Sequence, residues 1–160
     1  NGFAAELGHF IIERDGRECG CGKRGCLESY CSATALIKDT KAEMERSKDS
    51  LMWKLCEGSI DRVSGMTAFK AAREGDAAAS RVVDSYIGYL AIGISNMINI
   101  FQPDVVCIGG GVSGEGDNLL VPLKKEVEKL SFGTDNCRTS VVIAKYKNDA
   151  GIIGAAGLGK

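Results

Sequence analysis

The stretch that decides the fold is Asp104 to Leu130, DVVCIGGGVSGEGDNLLVPLKKEVEKL. Asp104 to Ile108 is a short apolar run, Gly109 to Gly111 end it, and a helix follows from about Asp117 to Leu130. Strand, glycine turn and helix therefore come in order, which is half of a βαβ unit. Val141, Val142, Ile143 and Ala144 supply the next strand, and a Gly- and Ala-rich helix from about Ala150 to Leu158 follows it. Strands separated by helices predict an α/β protein.

Upstream, helices dominate. Asp76 is placed to cap the longest one, whose stripe Val82, Val83, Tyr86, Ile87, Leu90, Ile94, Met97, Ile98 and Phe101 keeps the helical period up to Pro103. The uncharged stretch between Asp84 and Asp104 is long enough to span a bilayer, but it carries Ser85, Ser95, Asn96, Asn99 and Gln102 and reads as a buried core helix. Ser64 caps a helix that carries Phe69 and ends near Gly75, and Leu51, Met52, Leu55 and Cys56 mark a short one before it. A further helix starts at Leu27, with Tyr30, Cys31, Thr34, Leu36 and Ile37 at helical spacing, and is expected to fray in the charged, solvated run from Lys38 to Asp49. His9 to Ile12, followed by Asp15 and Gly16, read as a strand leaving a turn.

A length of 160 residues with 44% hydrophobic and 26% charged side chains fits one soluble globular domain and excludes a disordered or fibrous chain. Twenty Lys and Arg against 21 Asp and Glu leave a net charge of −1, without the global basicity of a nucleic-acid or membrane-surface binder, so a small neutral partner is expected. Asn1, Gly2 and Phe3 open the chain with no basic segment leading into an apolar run, and read as a truncated start without a signal peptide. Seven cysteines, four of them between Cys19 and Cys31, point to a reducing compartment and a local metal site over a disulfide framework.

His9, Cys19, Cys21 and Cys26 form H-x9-C-x-C-x4-C, with Gly20, Gly22 and Gly25 letting the loop close tightly. Three thiolates and one imidazole select zinc, and four protein ligands leave no position for a catalytic water, so the metal is expected to be structural. Cys31, Cys56, Cys107 and Cys137 sit in apolar or isolated contexts and read as small buried hydrophobes. Glu6 precedes His9 by three residues and Glu28 follows Cys26 by two, so closing the metal loop carries both carboxylates toward one place, where they can accept hydrogen bonds from hydroxyl groups.

The run AAELGHFIIERDGRECGCGKRGCLESYCSATAL from Ala4 to Leu36 closely resembles the sugar-site and zinc-loop region of the ROK family of sugar kinases and repressors. Further matches are EGD at Glu74 to Asp76, NIFQPDVVCIGGGVS from Asn99 to Ser113, and NDAGIIGAAGLG from Asn148 to Gly159, so the resemblance covers nearly the whole chain. The wording is most similar to the glucokinases of that family. The resemblance implies an actin-like ATPase fold of the ribonuclease H-like class, with residues 1–160 forming the larger C-terminal domain, zinc loop included, of a two-domain protein whose N-terminal domain lies outside them. It further implies that Glu6, His9 and Glu28 contact sugar hydroxyls, with His9 also a zinc ligand, and that Gly110, Gly111 and Val112 line the adenosine pocket. The family's phosphate loops and catalytic Asp lie upstream of the matched region, so no catalytic residue is expected in this chain. The implied activity is ATP- and Mg²⁺-dependent phosphorylation of a hexose, with glucose the expected substrate, by a cytoplasmic homodimer that belongs to glycolysis. A sugar-responsive repressor bearing a helix-turn-helix, and a kinase for N-acetylmannosamine, fructose or allose, are the alternatives.

Overall fold

Side-chain caps start the helices at Ala33, Leu51 and Ala77, whereas the helix at Asp117 begins after Gly116 without one. In the computed structural model, which describes residues 5–133, 138–146 and 149–158, α1 covers Glu28–Cys31, α2 Ala33–Arg46, α3 Leu51–Leu55, α4 Thr67–Arg73 and α5 Ala77–Phe101. Strand β1 is Val105–Ile108, α6 is Asp117–Leu130, β2 is Ser140–Ile143 and α7 is Ala150–Gly157. Ser32 starts α2 by accepting the Ala35 N–H at 3.0 Å. Asp76 accepts the Ala79 N–H at 2.7 Å with one carboxylate oxygen and the Leu51 N–H at 2.6 Å with the other, so one residue caps α5 and holds the start of α3.

Length alone predicts one domain, whereas the chain divides into two compact units, Asn1–Gly93 and Ile94–Lys160, with the division inside the continuous α5. The first unit is helical, with Leu36, Met44, Met52, Cys56 and Phe69 almost wholly buried. Phe69 meets Tyr86 edge-on at 6.3 Å between ring centres, and the Tyr86 hydroxyl donates to the Cys31 carbonyl at 3.0 Å. The Trp53 indole N–H donates to the Met44 carbonyl at 2.9 Å, closing the end of α2 against α3.

In the second unit β1 and β2 pair in parallel, from Val105 opposite Ser140 to Ile108 opposite Ile143, with α6 as the crossover that a parallel pair requires. Ile94, Ile98, Leu119, Leu123, Val127 and Val141 form its core. The strand, glycine turn, helix and strand read from the sequence are all present. No helix among the described residues is long and apolar enough to cross a membrane.

Several local expectations give way. His9 to Ile12 form no strand: a 3-10 turn covers Leu7–His9, and Ile11 makes a single antiparallel bridge to Cys26, because the N–H groups of Ile12 and Glu13 both turn to the Gly25 carbonyl. The helix from Leu27 is interrupted at Ser32 and does not fray after Lys38 but runs to Arg46. Thr40 and Met44 are fully buried within that charged run, and Glu43 pairs with Arg81, so it is only partly a solvated face. Cys56 is buried as expected and Cys31 is half-buried, but Cys107 is exposed, because β1 turns Val105 and Cys107 outward by the alternation of a strand. Cys137 lies outside the described residues. In α5 most of the stripe is buried as far as Ile98, with Leu90 and Met97 half-buried, while Phe101 is 66% exposed.

Candidate functional site

One turn of 3-10 helix, Leu7–His9, brings Glu6 and His9 to the same side, since residues three apart eclipse in that geometry. Glu6 Oε2 lies 4.0 Å from His9 Nε2. The other ring nitrogen, Nδ1, faces the cysteine loop: it is 3.6 Å from Cys19 Sγ and 3.4 Å from Glu28 Oε2. Glu28 is the first residue of α1, directly after the buried Cys26 and Leu27. The two glutamates that the sequence sends toward one place therefore flank a single imidazole from opposite edges.

The loop itself is closed by its backbone. Cys19 N–H donates to the Lys23 carbonyl at 2.8 Å, Gly22 N–H to Cys19 at 2.9 Å, Gly25 N–H to Arg17 at 2.7 Å and Leu27 N–H to Phe10 at 3.1 Å. Gly25 adopts φ +79°, and a Cβ there would be driven into the Glu13 carbonyl oxygen. The ligand atoms of His9, Cys19, Cys21 and Cys26 all lie within 4.8 Å of one another.

Bond lengths of about 2.3 Å to sulfur and about 2.0 Å to nitrogen give a tetrahedral zinc site edges of about 3.8 Å (S to S) and about 3.5 Å (S to N). The Cys21 and Cys26 sulfurs are 3.7 Å apart, and Cys19 Sγ lies 3.6 Å from His9 Nδ1, so the donor set fits a soft divalent ion. The backbone N–H of Lys23, followed by the Cys19 thiol, draws the Cys21 thiol below its ordinary value, while burial, then the neighbouring thiols, pushes Cys26 up to about 11. A bound cation would hold both as thiolates.

Arg17 is a residue the sequence reading does not single out. Its N–H donates to the Tyr30 hydroxyl at 2.8 Å and its guanidinium lies 4.5 Å from the Tyr30 ring centre. The same guanidinium reaches Ser29 O at 3.3 Å and Asp39 Oδ2 at 2.8 Å, fastening the cysteine loop to α1 and α2. These partners are 12 to 22 positions away, and no motif links them.

Gly110, Gly111 and Val112 belong to the second unit, after β1. Gly110 adopts φ +84° with open space where a Cβ would stand, and Gly111 opens the 3-10 turn Gly111–Glu115. Ser113, fully buried, donates its hydroxyl to the Gly110 carbonyl at 2.6 Å and its N–H to the same oxygen at 3.1 Å, which pins the turn. An exposed glycine backbone at the end of a parallel strand leaves a surface on which a flat ring can lie.

The chain is similar to known proteins over nearly its whole length. The chain is 38% identical to a glucokinase of Thermotoga maritima over 158 residues, 99% of this chain and 50% of that one. It is 31% identical to a putative xylose repressor of Caldicellulosiruptor sp., over 98% of this chain and 39% of that one. Among solved structures, a ROK family glucokinase from Streptomyces griseus in complex with glucose and AMPPNP superposes with a TM-score of 0.89 at 33% identity, covering 97% of this chain and 51% of that one. The chain thus spans about half the length of the curated glucokinases it matches. With the ROK family model matching residues 1–160 from end to end and a ROK structure superposing on the α/β fold, the chain belongs to the ROK family.

Proposed function

We propose that this chain is the sugar- and adenosine-binding part of an ATP-dependent hexose kinase, with glucose as its substrate. The observation that carries the reading is the placement of His9, whose ring joins a cluster of three thiols, with Nδ1 at Cys19, and whose Nε2 faces Glu6, with Glu28 beside it. A hydroxyl oxygen about 2.8 Å from each can accept from Nε2–H and donate to Glu6 across the 4.0 Å gap, and Glu28 takes a second hydroxyl. Zinc on His9, Cys19, Cys21 and Cys26 supplies rigidity alone, since four protein ligands close the site. Gly110, Gly111 and Val112 line the adenosine pocket, and the 38% identity to a glucokinase supports the kinase reading.

Phosphoryl transfer depends mainly on orientation and charge stabilisation, so the three sugar ligands contribute by aiming the primary hydroxyl at the γ-phosphate. The groups that hold the β- and γ-phosphates with Mg²⁺, and the base for the attacking hydroxyl, come from residues outside this chain, in a two-domain protein that acts as a cytoplasmic homodimer. Glu6→Ala and Glu28→Ala in the intact protein each remove an acceptor from a buried hydroxyl, a loss of about 1–3 kcal/mol, or roughly 5- to 150-fold in kcat/KM. A coupled assay for glucose 6-phosphate, run beside a panel of other hexoses and N-acetylmannosamine, measures it. Unchanged glucose kinetics in both variants would refute the assigned roles.

A repressor is the second reading, favoured by the 31% identity to a putative xylose repressor across nearly the whole chain. Sugar-dependent release of DNA by the intact protein, without sugar phosphorylation, would establish it in place of the kinase.

A further inference from the structure

We infer that Ala5 is a positioning residue for the sugar site, whose left-handed backbone sets where the Glu6 carboxylate stands beside His9; this rests on the sugar-kinase reading above. Four non-glycine residues among those described adopt a positive φ: Ala5 at +67°, Asp15 at +56°, Glu57 at +51° and Gln102 at +45°. Three of them have ordinary reasons. Glu57 and Gln102 lie just past the ends of α3 and α5, where the Gly58 N–H reaches the Trp53 carbonyl at 2.9 Å and the Gln102 N–H reaches that of Ile98 at 2.8 Å, the usual left-handed close of a helix. Asp15 is of a residue type that tolerates this region, and it sits in a turn. No described helix ends at Ala5, and its methyl side chain has no polar atom to offset the crowding of Cβ against a carbonyl oxygen that disfavours this region.

The reason lies in the turn that follows. The Ala5 carbonyl accepts the Leu7 N–H at 2.8 Å across Glu6, whose φ of −72° and ψ of 60° are those of the central residue of an inverse γ-turn. The Glu6 carbonyl then accepts the His9 N–H at 3.0 Å, in the 3-10 turn that sets Glu6 Oε2 4.0 Å from His9 Nε2. Beyond His9 the chain is tied down, with the N–H groups of Ile12 and Glu13 on the Gly25 carbonyl and the Leu27 N–H on that of Phe10. A side chain that cannot hold φ near +67° must take a negative value, which redirects the chain by roughly 130° one residue before Glu6. With the downstream side fixed, that change falls on the turn carrying Glu6. Ala5 is exposed, so a larger side chain there meets little packed structure, and the backbone angle is what a substitution alters.

Glucose kinetics of the intact protein carrying Ala5→Gly, Ala5→Asn or Ala5→Val test this, since asparagine and valine both add bulk but differ in their tolerance of positive φ. Ala5→Gly and Ala5→Asn should keep kcat/KM for glucose within about 2-fold of wild type or raise it, whereas Ala5→Val should lower it about 5-fold or more. KM for ATP and zinc content should be unchanged in all three, which shows that each variant is folded. In a Glu6→Ala background Ala5→Val should cost less than about 2-fold, because Ala5 acts through that carboxylate. No loss in Ala5→Val, equal losses in Ala5→Asn and Ala5→Val, or the full effect of Ala5→Val without Glu6 overturns the inference and leaves the sugar-kinase reading intact. Absence of glucose phosphorylation by the wild-type protein refutes that reading and the inference with it.

Discussion

His9 does two things because an imidazole has two nitrogens on different edges. Its Nδ1 lies 3.6 Å from Cys19 Sγ in the thiol cluster, and its Nε2 looks out toward Glu6. The other cysteines show what sets the cluster apart: Cys56 is buried alone in the helical core beside Thr67, and Cys107 stands exposed on β1. One zinc per chain is expected. Cys21→Ser should lower that content well below one, whereas Cys107→Ser should leave it unchanged, and metal analysis of the purified variants decides. Equal zinc loss in both would mean that the ligand set is misassigned. The same single-residue logic explains Gly25, whose φ of +79° and contact with Glu13 leave no space for a side chain in the loop.

At the scale of elements, the helices are joined by a few side chains that reach between them. Asp76 holds the first turns of α3 and α5 together. Burial works against its charge more than any single contact works for it. Even so, the N–H groups of Ala79, Leu51 and Ala78 and the Ser50 hydroxyl together hold the carboxyl below its ordinary value. A depressed folded value means that the ionised form stabilises the fold above the unfolded carboxyl's pKa of about 3.9, and that this stabilisation is lost as pH falls through the folded value. Asp76→Ala should therefore cost about 2 kcal/mol at pH 7, read by urea denaturation, with the difference from wild type shrinking below about pH 4. A difference of the same size at pH 7 and pH 3 would rule out the charged cap as its origin. Arg17 plays the corresponding part for the cysteine loop, tying it to Asp39 of α2.

Considered as a whole molecule, the chain carries two compact units, each with buried apolar residues of its own. Its apolar surface is uneven: Phe132 is 91% exposed, and in the last helix Ile152 is 75% and Ile153 44% exposed. The isolated 160-residue chain is expected to bind zinc and unfold cooperatively, yet to form no glucose 6-phosphate at a useful rate. Zinc analysis, denaturation and the coupled assay, run beside the intact protein, check all three. Activity near that of the intact protein would show that the phosphate-binding and proton-accepting groups lie within these residues after all.

Local chemistry was legible in the sequence wherever neighbouring residues decide the structure. The period of the stripe from Val82 to Ile98 and the order of Val105–Ile108, Gly109 to Gly111 and Asp117–Leu130 specify helix, strand and turn through side-chain spacing and backbone freedom. The spacing of His9, Cys19, Cys21 and Cys26 likewise announced a cluster that short-range loop closure then assembles. Tertiary structure alone decided what depends on distant partners. It kept α2 helical through Lys38 to Arg46 by burying Thr40 and Met44, turned His9 to Ile12 from a strand into a loop by directing the N–H groups of Ile12 and Glu13 to Gly25, and left Cys107 in the open. It also set Arg17 against Tyr30 and Asp39, because burial and hydrogen bonding between residues far apart in the chain are settled by packing and leave no local pattern to read.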